Sequence, residues 1–580
     1  MKLFAGLVIA ILALCTAVNC CSLQKEEKLK NDPLRVIPDR EKNLPPSKSE
    51  LQHFNKHVVC ADSTKCSKVG SDILAKGGNV IDSAIATMFC NGMIDAESMG
   101  IGGGFIMNIY KDKKFYTLNA KEVASEAATP NMFKTQKEYE IGAGSIGVPG
   151  EVKGYWELYK RFGSMPWKSL VEPAIKICEK GMILSGYTQK CLEPHHYKDK
   201  HLRKTFFRAK NKPRNPGDLV KFVPELCNTY KMIAEKGGDD FYNGTLADLI
   251  AADLKDIGSI ITKKDLQSYE PRWEETLSVP MIKGNLTAHL PPSAGGPVVG
   301  LILNILRGYN ISRELIRTEN ELVQTYHRFI EASKFAFGYR THLHDSDTVL
   351  PLVRKMLTPA FGDEIRALID DNKTWTDPKH YGGEFVINDK GTSHTSILAA
   401  NGDAVSVTSS LNFLFGCGKT GKKTGIIFNN GMNDFAINNM ANSALTQPSA
   451  NNFIAPKKRA TSSFSPIIVT DDKGGVRMVV GGAGGTRIIT AVSMVIGRVL
   501  WFNENLKEAI DASRMHHQLL PMQVDYQYGI PAPIISGLKA LGHKMERNWC
   551  GISNVRAIAR NESGIFANAD YRKEGKAVGE

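Results

Sequence analysis

The 580-residue sequence predicts an α+β fold in which helices cover antiparallel sheets. Three observations lead to this prediction. Apolar residues recur at helical spacing near 67–88, two hairpin patterns lie within 395–480, and a long helical pattern follows at 486–502. Helices followed by hairpins and another helix favour segregated antiparallel sheets over the alternating strands and helices of a parallel fold.

The N-terminal third is expected to be helical. The run 67–76 carries apolar residues at helical spacing and stops at Gly77-Gly78, and a second run resumes at 80–88. Glycine directly after the last periodic residue is a common helix end. We therefore expect two helices joined by a glycine turn.

The C-terminal third carries the strand signals. Two β-branched runs, 395–400 and 403–409, are joined by an Asn-Gly pair, which is a strong hairpin signal. A second pair of runs, 466–470 and 476–480, flanks a loop rich in Asp and Gly. Both pairs predict antiparallel hairpins.

Composition narrows the function classes. Hydrophobic residues make up 42% and charged residues 23%, which excludes a disordered, collagen-like or coiled-coil chain. No linker or repeat interrupts the chain after residue 50, so one large domain is expected. The net charge is +13, but the basic residues are scattered, and we expect no nucleic-acid partner.

The N-terminus predicts export. Lys2 precedes an uncharged apolar run at 3–18, and the sequence becomes highly charged from residue 25. This pattern is typical of a secretory signal peptide, here 1–20, and predicts a secreted protein. The alternative is an uncleaved signal that anchors the protein to a membrane, facing outside. A span needs roughly 20 apolar residues, so this run is marginal for an anchor.

Five N-x-S/T sequons fit the same route and predict glycosylation; they lie at Asn243, Asn285, Asn310, Asn372 and Asn561. An oxidising compartment also allows some of the cysteines to pair. The sequence has no C-x-x-C motif and no His at ligand spacing from a Cys, so neither a metal site nor a cofactor is expected.

Two glycine clusters, 100–104 and 481–485, suggest phosphate binding at first sight. Neither has the spacing of a dinucleotide or P-loop motif, so nucleotide binding is not predicted. The second cluster lies where a strand passes into a helix, and its N–H groups would point to one place. Such a turn can form an oxyanion hole, although close packing of strand on helix explains it equally well.

No G-x-S-x-G elbow is present, which removes the main signal of a lipase-like hydrolase. The segment 389–396 places a hydroxyl residue after a glycine at the start of a strand. Alone, this favours an ordinary turn.

Read in order, the motifs are more specific. The chain resembles the gamma-glutamyltransferase family, in its small subunit through Gly391-Thr392-Ser393-His394, 408–412, 428–435, Ser462-Ser463 and 484–486, and in its large subunit through 98–104, 119–123 and 147–150. The segment 570–579 is similar to the family's C-terminal end. The resemblance implies an N-terminal-nucleophile hydrolase fold, a four-layer αββα sandwich that is one domain built from two chains after self-cleavage.

The resemblance implies a cut between Gly391 and Thr392, giving a large subunit of 21–391 and a small subunit of 392–580. The freed Thr392 hydroxyl would attack glutathione or another γ-glutamyl compound and form an acyl-enzyme, which water, an amino acid or a dipeptide then accepts. Its own new α-amine would be the base, because its reference pKa of about 8 suits proton acceptance near neutral pH.

The resemblance also assigns roles to further residues. The Gly484 and Gly485 N–H groups would form the oxyanion hole, and the Ser410 hydroxyl would orient the nucleophile. The charged ends of the glutamyl group would be held by Lys121, Asn412, Asp434, Ser462 and Ser463. Secreted members pair the cysteines that match Cys66 and Cys90, so we expect a disulfide there.

Two positions depart from the family. Lys121 stands where the family has Arg, and keeps the charge but not the two-bond fork. Gly431 stands where the family commonly has an acidic or amide residue. Charge-assisted hydrogen bonds contribute roughly 1.5–3 kcal/mol each, and a double variant Lys121→Arg/Gly431→Glu that restores part of this free energy should raise kcat/KM about ten- to a thousandfold. The alternative function is a self-processed but catalytically impaired protein that acts as a secreted binding or effector protein.

Overall fold

The computed structural model describes residues 47–192, 197–208, 212–281, 285–383, 391–437, 449–547 and 553–580. The predicted signal peptide lies outside these ranges. Two seven-stranded antiparallel sheets pack face to face, and helices cover both outer faces. The predicted four-layer α+β sandwich is confirmed.

Nineteen strands are distributed along the described residues. In chain order they are β1 Gln52–Phe54, β2 Val58–Cys60, β3 Gly104–Lys111, β4 Lys114–Ala120, β5 Met182–Ile183, β6 Leu219–Val220, β7 Arg272–Glu274, β8 Leu277–Pro280, β9 Leu286–Leu290, β10 Ser393–Leu398, β11 Ala404–Ser410, β12 Ile467–Asp471, β13 Val476–Ala483, β14 Met515–His516, β15 Val524–Tyr526, β16 Met545–Arg547, β17 Asn554–Asn561, β18 Gly564–Ala569 and β19 Val578–Gly579.

The first sheet has the order β19-β2-β10-β11-β3-β4-β7, and the second has the order β1-β18-β17-β13-β12-β9-β8. The α-helices are Thr64–Ala75, Val80–Ile94, Gln136–Glu140, Glu151–Phe162, Trp167–Lys180, Gly186–Leu192, Lys200–Phe206, Pro224–Lys236, Asp240–Asn243, Thr245–Asp256, Lys263–Gln267, Gly296–Arg307, Glu319–Arg340, Leu350–Met356, Pro359–Arg366, Arg487–Leu500, Leu506–Asp511 and Ala532–Ala540.

Both predicted hairpins are confirmed. β10 pairs with β11 and β12 pairs with β13, each antiparallel. The expectation that the N-terminal third is helical is only partly right. The helices Thr64–Ala75 and Val80–Ile94 are present, but the same third also supplies β1 to β4. Its glycine cluster at 100–104 allows close packing, since a Cβ on Gly103 would lie 2.2 Å from the Ser410 carbonyl oxygen.

Alternation along the strands separates the layers. On β10, Ile397 belongs to the apolar cluster that the helix Val80–Ile94 completes, whereas Leu398 packs with Ile468 between the two sheets. The helices Gly296–Arg307 and Arg487–Leu500 cover the outer face of the second sheet. The two central strands β10 and β11 are therefore buried on both faces.

Two disulfides lie in the first helical layer. Cys66 is bonded to Cys90, the pair expected from the resemblance, with their Cα atoms 5.4 Å apart. Cys178 is bonded to Cys227, a pair that the sequence analysis left open.

Two structural features concern the predicted export of the protein: the exposure of the sequons and the apolar character of the helices. All five sequon asparagines are exposed, as glycosylation requires. Among the described residues, no helix has the length and apolar character needed to cross a membrane.

We expect the Cys66–Cys90 bond to stabilise the helical layer. Replacing both cysteines by Ser opens a loop of 24 residues, which should lower the free energy of unfolding by about 3 kcal/mol in urea titrations. Peptide mapping without reduction should recover the two linked peptides. Free thiols at both positions would contradict the assignment.

Candidate active site

Several of the predicted site residues lie at one end of four neighbouring strands in the first sheet. We call this end of the strands the edge. β10 and β3 begin at the edge where β11 and β4 end, because the four neighbouring strands run antiparallel. Neighbouring strands are about 4.8 Å apart. Thr392 just before β10, Ser410 at the end of β11 and Lys121 just after β4 therefore lie along the same edge, with Thr392 and Ser410 on neighbouring strands.

The peptide bond between Gly391 and Thr392 has an unusual backbone conformation and two hydroxyl groups beside its carbonyl. Gly391 has a φ of +90°, and a Cβ there would lie 2.7 Å from the Asn412 carbonyl oxygen, so only glycine fits. The Thr392 hydroxyl donates to the Gly391 carbonyl oxygen. The Ser410 hydroxyl donates to the same oxygen at 2.8 Å. Two hydroxyl donors thus converge on one carbonyl.

Ser410 has two hydrogen-bond partners in the uncleaved chain. The resemblance implies that its hydroxyl orients the nucleophile, but in the uncleaved chain it is bonded to the Gly391 carbonyl. Its oxygen in turn accepts from the Asn412 backbone N–H at 2.7 Å. Ser410 therefore contacts the carbonyl of the residue before Thr392 in the uncleaved chain, and its expected role in orienting the nucleophile stays a prediction.

His394 is not available as a base, although it lies two residues from Thr392. Its ring nitrogens are bonded to Thr408 Oγ1 at 2.8 Å and to Ser396 Oγ at 3.1 Å. Burial between the sheets lowers the pKa of His394 to about 3, so the ring is neutral.

The glycine turn at 484–485 lies toward the same edge. A Cβ on Gly481 of β13 would lie 2.2 Å from the His394 ring, and the Val480 carbonyl accepts from the Ser406 hydroxyl of β11. Since Ser406 pairs with Ser396, β13 runs toward the Thr392 end of β10. Directly after β13, the turn has φ angles of +121° and +65° and leads into the helix Arg487–Leu500.

The residues expected to hold the substrate's two charges are bonded to each other. Lys121 Nζ is 3.0 Å from Asp434 Oδ2 and 2.5 Å from Glu122 Oε1, and all three side chains are at most 5% exposed. Burial alone would lower the pKa of Lys121, but the carboxylates of Asp434 and Glu122 outweigh burial and raise the pKa above its ordinary value. Lys121 is therefore a cation shared by two carboxylates.

The space beside Gly431 is filled by another side chain, that of Glu122. A Cβ at Gly431 would lie 2.1 Å from Glu122 Oε1 and 2.4 Å from Glu122 Cγ. The carboxylate of Glu122 thus occupies the place where a side chain at position 431 would begin. The expectation that Gly431→Glu restores an acceptor for the substrate stays a prediction, and a side chain at position 431 would require the Glu122 side chain to move.

The remaining substrate-binding candidates border the same region. Asn412, with a φ of +76°, donates from its side chain to the Asn430 carbonyl at 3.0 Å. Ser462 lines one cavity together with Lys121. Ser463 Oγ accepts from the Arg340 guanidinium at 2.9 Å.

Comparison with known proteins identifies the chain. The model of the family described as Gamma-glutamyltranspeptidase matches residues 66–580. The chain belongs to this family. Scoloptoxin SSD14 of Scolopendra dehaani is 36% identical to it over 553 residues, which cover 93% of this chain and 95% of that protein.

Glutathione hydrolase 5 proenzyme of Mus musculus is 33% identical over 542 residues, which cover 91% of this chain and 93% of that protein. Among solved structures, cephalosporin acylase from Bacillus halodurans matches with a TM-score of 0.79 and 25% identity, over 94% of this chain and 99% of that chain. The gamma-glutamyltranspeptidase fold therefore extends over nearly the whole chain.

Two charged residues near the family's site were not selected from the sequence. Glu122 stands in the motif 119–123, but no local signal shows that it turns toward Asp434, which is more than 300 residues away. Lys573 stands in the C-terminal motif, and its Nζ donates to the Thr392 carbonyl oxygen at 3.4 Å. The only signal for either was its position inside a family motif.

A group of possible metal ligands lies elsewhere, in the second helical layer. His327, Glu331 and His543 bring three ligand atoms within 4.8 Å of one another. However, His327 Nδ1 is hydrogen-bonded to His543 Nε2 at 2.8 Å, and Lys334 Nζ is 3.0 Å from Glu331 Oε1. A cation so close to the carboxylate repels a metal ion, so we interpret the group as a hydrogen-bonded network.

We expect Gly431→Ala to displace the Glu122 side chain and to break its contact with Lys121. Overpacking of this kind should lower the free energy of unfolding by about 1–3 kcal/mol. The matched control is the double variant Gly431→Ala/Glu122→Ala, which makes room for the new methyl group. Equal melting temperatures for Gly431→Ala and the parent protein would contradict this description of the pocket.

Proposed function

We propose that the protein is a secreted γ-glutamyltransferase that cleaves itself before Thr392 and then uses Thr392 as its nucleophile. One observation carries this proposal: the Thr392 hydroxyl lies against the Gly391 carbonyl, while Ser410 donates to the same oxygen. A side-chain hydroxyl in that place can attack the bond that precedes it. The export pattern of the N-terminus and the exposed sequons support secretion.

Self-cleavage would proceed through an ester. The Thr392 oxygen attacks the Gly391 carbonyl carbon, and the hydroxyl from Ser410 stabilises the developing negative charge. The C–N bond then breaks, and the Thr392 nitrogen takes up the proton that its hydroxyl gave up, so that an ester and a free amine result. Water hydrolyses the ester, restores the hydroxyl and releases the Gly391 carboxylate. The products are the chains 21–391 and 392–580.

Turnover would use the new amine as a base. It accepts the hydroxyl proton as the Thr392 oxygen attacks the γ-carbonyl carbon of glutathione or another γ-glutamyl compound. The leaving amine of the substrate takes that proton, and the γ-glutamyl ester of Thr392 remains. Water, an amino acid or a dipeptide then attacks the ester. The N–H groups of Gly484 and Gly485 would stabilise the oxyanion of both steps.

Substrate recognition would require one ion pair to open. The α-carboxylate of a glutamyl group needs Lys121, and its α-ammonium needs Asp434, but these two are bonded at 3.0 Å. A zwitterion can separate them and pair with both, so the exchange conserves charge. Glu122 would keep Lys121 in place meanwhile. Asn412, Ser462 and Ser463 would donate to the carboxylate.

The second candidate function is that of a self-processed, catalytically impaired binding or effector protein. The observation that favours it is the same Lys121–Asp434 pair, because opening a buried ion pair costs free energy that the substrate must supply. Self-cleavage needs only Gly391, Thr392 and Ser410 and would survive this impairment.

Self-cleavage should appear on a denaturing gel as two fragments, the smaller beginning Thr-Ser-His-Thr. Thr392→Ala should leave one full-length band, because alanine has no hydroxyl for the acyl shift. Thr392→Ser keeps the hydroxyl and should restore cleavage. A cut at the same bond in the alanine variant would show that another protease makes it.

Release of p-nitroaniline from L-γ-glutamyl-p-nitroanilide distinguishes the two candidates. A working enzyme should release it, and Thr392→Ala should lower the rate at least about a thousandfold by removing the nucleophile. A processed wild-type protein that releases none would favour the impaired alternative. Adding glycylglycine as an acceptor should speed release if transfer competes with hydrolysis.

A further inference from the structure

A group of buried charges next to Thr392 has no part in the chemistry above. Lys573 comes from the C-terminal segment and is 1% exposed. Its Nζ donates to Asp62 Oδ2 at 2.5 Å, to Ser98 Oγ at 3.0 Å and to the main-chain carbonyl oxygen of Thr392 at 3.4 Å. An ammonium has three N–H donors, so these contacts use all of them.

Lys573 is a cation in this position. Burial alone lowers the pKa of its side chain, but the neighbouring acidic groups, above all the Asp62 carboxylate, outweigh burial and hold the pKa above its ordinary value. The Arg556 guanidinium is 3.2 Å from Asp62 Oδ1 and donates to the Lys573 main-chain carbonyl at 3.0 Å. Both the ammonium and the backbone that carries it are therefore fixed.

The carbonyl that Lys573 binds belongs to the residue whose hydroxyl and amine would do the chemistry. β10 begins at Ser393, so the hydrogen-bond ladder of the sheet starts one residue after Thr392. A cut after Gly391 removes the covalent anchor on the other side. From then on, Thr392 is held by its bond to Ser393 and by the contact with Lys573.

We propose that Lys573 is a positioning residue for the Thr392 nucleophile of the cleaved protein, an inference that rests on the proposed function of Thr392. Its bond to the carbonyl restricts rotation of the first residue of the small chain. The hydroxyl and the α-amine thereby keep one orientation toward the γ-carbonyl of the substrate. Errors of about 1 Å in such an orientation can cost a hundredfold in rate.

The test compares Lys573→Met, which removes the donors, with Lys573→Arg, which keeps them. Lys576→Met is the matched control, because Lys576 stands in the same segment but is exposed and is paired with the exposed Glu50, at 2.9 Å. Each variant is expressed as the full chain, checked for self-cleavage and melting temperature, and assayed with L-γ-glutamyl-p-nitroanilide.

We expect Lys573→Met to lower kcat about a hundredfold while KM changes less than about threefold, because the lysine does not touch the substrate. Lys573→Arg should retain most of the activity, and Lys576→Met should match the wild type. A wild-type kcat in the folded, cleaved Lys573→Met protein would overturn this inference but not the proposed function. An inactive wild type would refute the proposed function and this inference together.

Lys573→Met leaves buried carboxylates without their cation and can fail to fold. The double variant Asp62→Asn/Lys573→Met removes one negative charge together with the positive one. A low kcat with unchanged KM in this folded double variant supports positioning. If neither variant folds, the lysine serves the stability of the charge group, and the inference is wrong.

Discussion

The antiparallel register of β10 with β11 is the constraint on which the site depends. It pairs Ser393 with Ser409, and so brings Ser410 beside the residue that precedes the strand. A slip of one residue would turn every side chain of β10 to the opposite face. The burial of Ile397 toward the helices and Leu398 toward the other sheet prevents such a slip, so the hydrophobic layers determine the geometry of the polar edge.

Two groups of buried charge flank this edge, and each contains a lysine held by more than one acid. Lys121 faces Asp434 and Glu122, on the side where a glutamyl group would enter. Lys573 faces Asp62 and Glu97, on the side of the Thr392 carbonyl. Isolated charges of either sign would be costly inside this sandwich. Because each lysine is paired with acids, it stays charged although it is buried. Lys573 can therefore hold a backbone carbonyl, and Lys121 can exchange its acidic partner for a substrate carboxylate.

The sequence predicted the hairpins and the first helices because their signals are local. It missed β3, whose residues 104–110 are buried throughout: a strand covered on both faces is a continuous apolar run without alternation. The family motifs located Thr392, Ser410 and Asp434. The close approach of Glu122 to Gly431 could not be predicted, because the two residues lie in distant segments that only the folded sheets bring together.

The strand order has a consequence for the two fragments. In the first sheet, β10 and β11 from one side of Gly391 lie between β2 and β3 from the other side, and in the second sheet β12 and β18 are flanked by β9 and β1. The halves are thus interleaved in both sheets. Severing one peptide bond would not let them dissociate, since parting them means breaking both ladders. A nicked molecule would melt as a single cooperative body, and halves refolded separately would each lack their neighbouring strands.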